Sequence, residues 1–258
     1  MIRHIELRLL LPEKESFRTD MAYALYGALC HCMTPVLADI LHAQKITPIR
    51  QHLRSGPEPG QCTWVLDLFD AAAELENTIR SWKTIDLQCC SAPLQVMQYT
   101  AFAPISVAAL LEKGQTWPPA STAAEFLFET PCTFKVAGSY ALFPSVELIV
   151  QSLWMRWNAL MPDCTLEDAD AQHLLLSGLR ICRYRLSSRD YKLKGQRIPG
   201  FVGSVQISAR LPAPMMELWH LLLAFAPYSG IGIKTALGMG AVRITPVIRK
   251  SNVSWQQK

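Results

Sequence analysis

The residues best suited to do chemistry lie in the run YSGIGIKTALGMG, from Tyr228 to Gly240. Four glycines, Gly230, Gly232, Gly238 and Gly240, surround one cation, Lys234, and one hydroxyl, Thr235. Glycine admits positive φ and lets another backbone approach closely. A run of exposed N–H groups in such a segment is a ready anion cradle. The segment lacks the GxxxxGK[ST] spacing of a P-loop, and it follows a helix-like stretch, LWHLLLAFAP, rather than a strand. A plain helix-to-strand connection would account for the glycines alone. The charge map favours phosphate.

The chain has 258 residues, with 25 Lys and Arg against 21 Asp and Glu. Residues 1–179 carry a net −7, and residues 180–258 carry 13 basic and two acidic side chains, a net +11. Arg180, Arg183, Arg185, Arg189, Lys192, Lys194 and Arg197 face only Asp190 in sequence. That asymmetry is the footprint of a polyanion partner, held through phosphate without sequence reading. Tyr184 and Tyr191, set among these cations, are candidates for stacking on bases.

Half of the residues are apolar, ample for a core. No apolar run approaches the ~20 residues of a membrane span. The N-terminus, MIRHIELRLLLPEKES, lacks a secretory cleavage site, so a cytoplasmic protein with no membrane partner is expected. Eight cysteines form no CxxC pair, and most are expected to be small buried hydrophobes. Neither a metal site nor a cofactor is expected.

The elements that must position these groups follow from periodicity. Ile5, Leu7 and Leu9 alternate with His4, Glu6 and Arg8, which predicts a half-buried strand over 2–11. Met21, Ala24, Leu25, Ala28, Leu29 and Cys32 have helical spacing. Thr34-Pro35 restarts a short helix. Strand 63–69, helix 72–82 and an extended segment from Ile85 to about Phe102 follow, with room for one more strand near Ile46–Leu53.

A linker is expected at Gly114–Ala120. Beyond it come a strand over 123–136 interrupted at Thr130-Pro131, a helix capped by Ser145, strands over 174–186 and 201–211, a helix from Pro214 to Ala226 and a last strand over 241–248. Trp154 and Trp157 fall at core spacing. The fold class predicted is α+β, two tandem ferredoxin-like (βαββαβ, RRM-like) domains over residues 1–115 and 116–258.

With these pieces in place the chain resembles the CRISPR-associated endoribonucleases of the RAMP superfamily, which cut precursor CRISPR RNA within its repeats. The resemblance rests on YSGIGIKTALGMG, on FKVAGSYALFPSVELIVQSLWMRWNAL (134–160) and on LADILHAQKITP (37–48), with IPGFVGSVQI in support. It implies metal-independent cleavage in which the 2′-hydroxyl attacks the adjacent phosphate, leaving a 2′,3′-cyclic phosphate and a 5′-hydroxyl. It places the catalytic histidine at His42, with Asp39 three residues back and Lys45 just beyond. His31 is second, His4 and His52 rank lower, and His173 and His220 are expected to be structural. Where some members carry a helix tyrosine this chain has about Cys30, with Tyr26 one turn away; where some carry a lysine it has Thr47. Repeat RNA is the implied partner; a CRISPR effector complex and a homodimer are further expectations. Two alternatives stay open: a non-catalytic guide-RNA-binding subunit, and a small-anion or nucleotide-binding regulatory module. The +11 segment argues against the second, because a mononucleotide needs only a few charges.

Overall fold

The computed structural model describes residues 1–13 and 15–248, with the backbone alone for His42 and Ala71. The alternating apolar residues make β1 (Ile2–Leu10) two-faced. Its apolar side packs with α1 (Met21–His31) and α2 (Pro35–Ala43). The Thr34 hydroxyl accepts from the Leu37 N–H at 3.2 Å, and Pro35 sits where a helix needs no N–H, which fixes the start of α2. β2 (Ile49–Ser55) and β3 (Gln61–Phe69) form a hairpin. A 3₁₀ turn, Asp70–Glu74, leads into α3 (Leu75–Ser81), β4 (Thr84–Ile85) and β5 (Leu94–Ala101). The sheet order is β2-β3-β1-β5-β4, antiparallel at every pair.

A helix not foreseen in the sequence, α4 (Val107–Gln115), comes next. Ser106 caps it at the Ala109 N–H, 3.1 Å away, and Leu110 is fully buried. The second sheet begins with β6 (Ser121–Cys132), then a small hairpin of β7 (Phe134–Val136) and β8 (Ser139–Ala141). α5 (Val146–Leu160) and α6 (Ala169–Gly178) lead to β9 (Leu179–Ser188). A second small hairpin, β10 (Tyr191–Leu193) and β11 (Gln196–Ile198), precedes β12 (Phe201–Ala209). α7 (Ala213–Ser229) and β13 (Val242–Ile248) complete the order β13-β6-β12-β9. Phe126, Trp157, Trp219 and Phe225 fill the core beneath this sheet, each at most 1% exposed. Truncating one such aromatic to alanine costs about 3–5 kcal/mol. Two ferredoxin-like units stand in tandem. Among the described residues no helix is long and apolar enough to cross a membrane.

Several expectations are corrected. The strand expected over 174–186 is helical to Gly178, because the Asp168 carboxylate accepts from the Asp170 and Ala171 N–H groups and starts α6. The linker begins two residues late, since Gly114 and Gln115 belong to α4. β6 continues through Pro131 as one strand, but it bulges there: the four steps from Phe128 to Cys132 face only the two from Gly203 to Phe201, which takes the proline out of the regular ladder. The extended segment after Ile85 is divided by a turn before β5. Of eight free cysteines only Cys62 and Cys132 are buried, while Cys30, Cys32, Cys89, Cys164 and Cys182 are exposed. His173 is exposed on α6, whereas His220 is half-buried and stacks on Trp117 at 5.6 Å.

Candidate active-site cleft

A cleft of about 590 Å³ opens where the two units meet. Tyr26 reaches it from α1, and Lys45 and Thr47 from the connection between α2 and β2. Phe134 and Lys135 enter from β7, and Gln151, Ser152 and Arg156 from one side of α5. Lys234 and Thr235 come from the glycine-rich loop. Its lining therefore holds four cations, Lys45, Lys135, Arg156 and Lys234, and no carboxylate among the described residues. His42 lies in the last turn of α2, three residues before Lys45; its side chain lies outside the described residues. Asp39 sits on the same helix.

The glycine-rich loop differs from the expected cradle of exposed N–H groups. Gly230, Gly232, Gly238 and Gly240 are all buried, with φ of 68°, 85°, 102° and 67°. Ile231 N–H donates to the Gly240 carbonyl at 3.0 Å, and Gly240 N–H to Pro131 at 2.9 Å. Gly232 N–H goes to the Ser152 hydroxyl at 2.9 Å, and Ile233 N–H to Thr133 at 3.0 Å. The loop spends these N–H groups on its own support. It offers the cleft the Lys234 side chain instead, from a residue in the left-handed region at φ 59°. Only glycine visits that region freely, so a lysine there is held by its surroundings.

Tyr26 is half-buried, and burial first, then Cys30, pushes its phenol pKa up. It stays protonated at neutral pH and is a hydrogen-bond donor rather than a phenolate. His31 is exposed, its Nδ1 is 2.7 Å from the Gly27 carbonyl, and it does not line the cleft. His4 stands elsewhere, with Nδ1 2.6 Å from Asp67 Oδ1. The other oxygen of Asp67 accepts from Arg50 at 2.8 Å. His52 is buried beside them; burial and the charges of Arg50, Arg54 and His4 hold its pKa well below the usual value.

Arg180, Arg183 and Arg185 on β9, Arg189 in the connection after it, and Lys192, Lys194 and Arg197 on the β10–β11 hairpin are all exposed. Tyr184 is exposed and meets Phe143 edge-on at 5.3 Å. Tyr191 is not available for stacking: it is 1% exposed and donates its hydroxyl to the Leu237 carbonyl. With Leu193, Ile198 and Met239 it packs the hairpin onto the glycine-rich loop, and Lys194 lies 6.0 Å from the Tyr23 ring of α1. Lys135, Gln151 and Arg156 were not singled out in the sequence, because only the fold brings β7 and α5 to the cleft.

A family model described as CRISPR-associated endoribonuclease Cas6 matches residues 126–242. A Cas6 endoribonuclease of Streptococcus thermophilus is 30% identical over 232 residues, spanning 87% of this chain and 91% of that one. The chain belongs to the Cas6 family. It is thus an endoribonuclease of CRISPR precursor RNA processing. A Cas6 of Mycobacterium tuberculosis is 33% identical over 122 residues, 46% of this chain and 38% of that protein. Among solved structures, a Cas6 product complex superposes with a TM-score of 0.75 at 23% identity, covering 95% of this chain and 100% of that one. Thermus thermophilus Cas6 gives 0.70 at 24% identity, covering 95% and 98%. These two likenesses establish the tandem ferredoxin-like fold of Cas6.

Proposed function

We propose that the cleft holds the cleavage-site phosphate of a CRISPR repeat RNA and that cutting needs no metal ion. The 2′-hydroxyl attacks the adjacent phosphorus as it loses its proton to a base. The P–O5′ bond breaks and the leaving 5′-oxygen takes up a proton. The products are a 2′,3′-cyclic phosphate and a 5′-hydroxyl. Such a reaction needs proton donors and acceptors near neutrality and positive charge around the phosphorane. His42 is the residue assigned to proton transfer. Tyr26, a neutral phenol, donates to a phosphate oxygen. Lys45 and Lys234 stabilise the negative charge that builds on phosphorus.

The observation that carries this reading is that the cleft lining holds four cations and no carboxylate among the described residues, the cations coming from the α2–β2 connection, β7, α5 and the loop. The exposed cations of β9 and its hairpin extend the RNA path away from the cut. Product and substrate-mimic complexes of other Cas6 proteins with this fold support an RNA-binding role here.

The test is cleavage of a labelled repeat RNA in EDTA, with a matching RNA carrying one 2′-deoxy nucleotide at the cut. Wild type is expected to cut the first and not the second. His42→Ala is expected to lower the rate about 10²–10⁴-fold, the range of general acid–base catalysis, and His31→Ala to leave it within a few-fold. Loss of cutting in EDTA, or cutting of the 2′-deoxy RNA, would overturn the mechanism.

A further inference from the structure

α5 presents an apolar row to the core, with Ile149, Val150, Leu153, Trp157 and Leu160 all buried. Arg156 interrupts that row and is only 7% exposed. A buried charge is costly unless it is paired, and its usual partner is a carboxylate. Here the partners are neutral. Nη1 donates to the Ser229 carbonyl at 3.2 Å and to the Thr235 hydroxyl at 2.8 Å. Nη2 donates to the Gly232 carbonyl at 2.5 Å. No carboxylate among the described residues forms an ion pair with it. The nearby cation Arg50 is committed to Asp67 and adds repulsion.

All three acceptors belong to the glycine-rich loop or its entry, and Arg156 also lines the cleft. We propose that Arg156 is a positioning residue for RNA cleavage, and that the phosphate held in the cleft supplies its missing counter-charge. The planar fork fixes three points of the loop at once and so sets where Lys234 and Thr235 face the RNA. The unpaired charge raises the pull of the cleft on an anion, and low local dielectric strengthens that pull. A lysine at this position would keep the charge and lose the fork.

The inference rests on the cleft being the phosphate site. The experiment measures binding of an uncleavable 2′-deoxy repeat RNA over a range of salt, for wild type, Arg156→Gln, Arg156→Lys and Lys234→Ala. Cleavage kinetics on the ordinary repeat RNA accompany it. Arg156→Gln is expected to weaken binding roughly tenfold and to flatten the salt dependence by about one phosphate contact. Arg156→Lys is expected to keep the salt dependence and KM while kcat falls.

Wild-type affinity and salt slope in Arg156→Gln, with Lys234→Ala weakened, would overturn the inference and leave the cleft reading standing. Wild-type behaviour in Lys234→Ala as well would remove the cleft reading and this inference with it. If the Arg156 variants do not fold, the guanidinium resonances of wild-type Arg156 decide by NMR. A shift on adding the 2′-deoxy RNA supports the proposal, and no shift overturns it.

Discussion

Gln51 on β2 donates its side-chain Nε2 to the Ala236 carbonyl at 3.0 Å, joining the first sheet to the glycine-rich loop. The same nitrogen donates to the Ala22 carbonyl of α1 at 2.8 Å, and Oε1 accepts from the Trp64 indole at 2.8 Å. Gln51 is fully buried, so every polar atom it offers is used. It ties the helix that carries Tyr26 to the loop that carries Lys234. Gln51→Leu would leave the Ala236 carbonyl and the Trp64 indole N–H without these partners and remove the tie to the Ala22 carbonyl. The expected loss is about 1–3 kcal/mol of stability, seen as a lower melting temperature. Cleavage at a temperature where the variant is still folded should fall as well.

Tyr26→Phe removes the phenol hydroxyl from the cleft, together with its hydrogen bond to the Cys30 thiol. The expected outcome is a roughly 10–100-fold lower kcat with RNA affinity nearly unchanged, since loss of one preorganised donor acts on the transition state. Single-turnover kinetics against a binding isotherm would check it, and an equal loss in both would refute the assignment.

Gly240 stands at φ +67°, and a methyl group added there would run into the Ile231 carbonyl. Its own N–H and carbonyl both anchor the loop, to Pro131 and Ile231. Gly240→Ala should therefore destabilise the protein by about 1–3 kcal/mol, measured by chemical denaturation. Gly60, also at positive φ but with open space around it, should cost less on the same change.

His52 gives a pH dependence with a definite sign. Above the ordinary value of 6.5 the ring is neutral in both folded and unfolded chains and contributes nothing to the balance. Below it the unfolded chain takes up a proton that the folded one refuses. Stability is then lost as pH falls from about 6.5 toward the lowered folded value, by up to ~1.4 kcal/mol per pH unit. Glu129 of β6, 4.0 Å away, softens the effect without reversing it. His52→Leu should flatten the melting temperature between pH 7 and pH 5. An unchanged slope would show that the ring is not held neutral.

Arg183 and Arg185 lie opposite Gln206 and Ser204 on the second sheet and are exposed. Replacing both by alanine should weaken binding of repeat RNA similarly across sequences and lower the salt slope by about two phosphate contacts. A changed sequence preference with an unchanged slope would mean that they read bases instead.

What the chain declares in advance is what local physics decides. The alternation of β1, the Thr34-Pro35 start of α2 and the Ser145 cap of α5 depend on neighbours a few residues away, and all are as expected. The leucines at 174–176 suit strand or helix equally, and a single cap at Asp168 settles the choice. The loop showed its glycines in sequence but not their burial, because their partners, Pro131, Thr133 and Ser152, are distant in the chain. Tyr191 looked exposed among cations, yet it is enclosed by residues from α1 and the loop. Arg156 gave no signal at all, since an arginine at core spacing is noticed only once its surroundings are known.

The cleft is assembled from segments far apart in the chain, from Tyr26 through α5 to Lys234. A ribosome delivers Tyr26 and Lys45 early, and Lys234 roughly 10–40 s later at 5–20 residues per second. Before that point the first sheet and α5 are already made, but the glycine-rich loop that completes the cleft is not. Stalled nascent chains ending before Tyr228 should therefore leave repeat RNA intact while longer ones cut it. If the cleft is the cutting site, activity waits for the glycine-rich loop, so a chain whose synthesis has not reached Lys234 is expected to leave RNA within its reach intact.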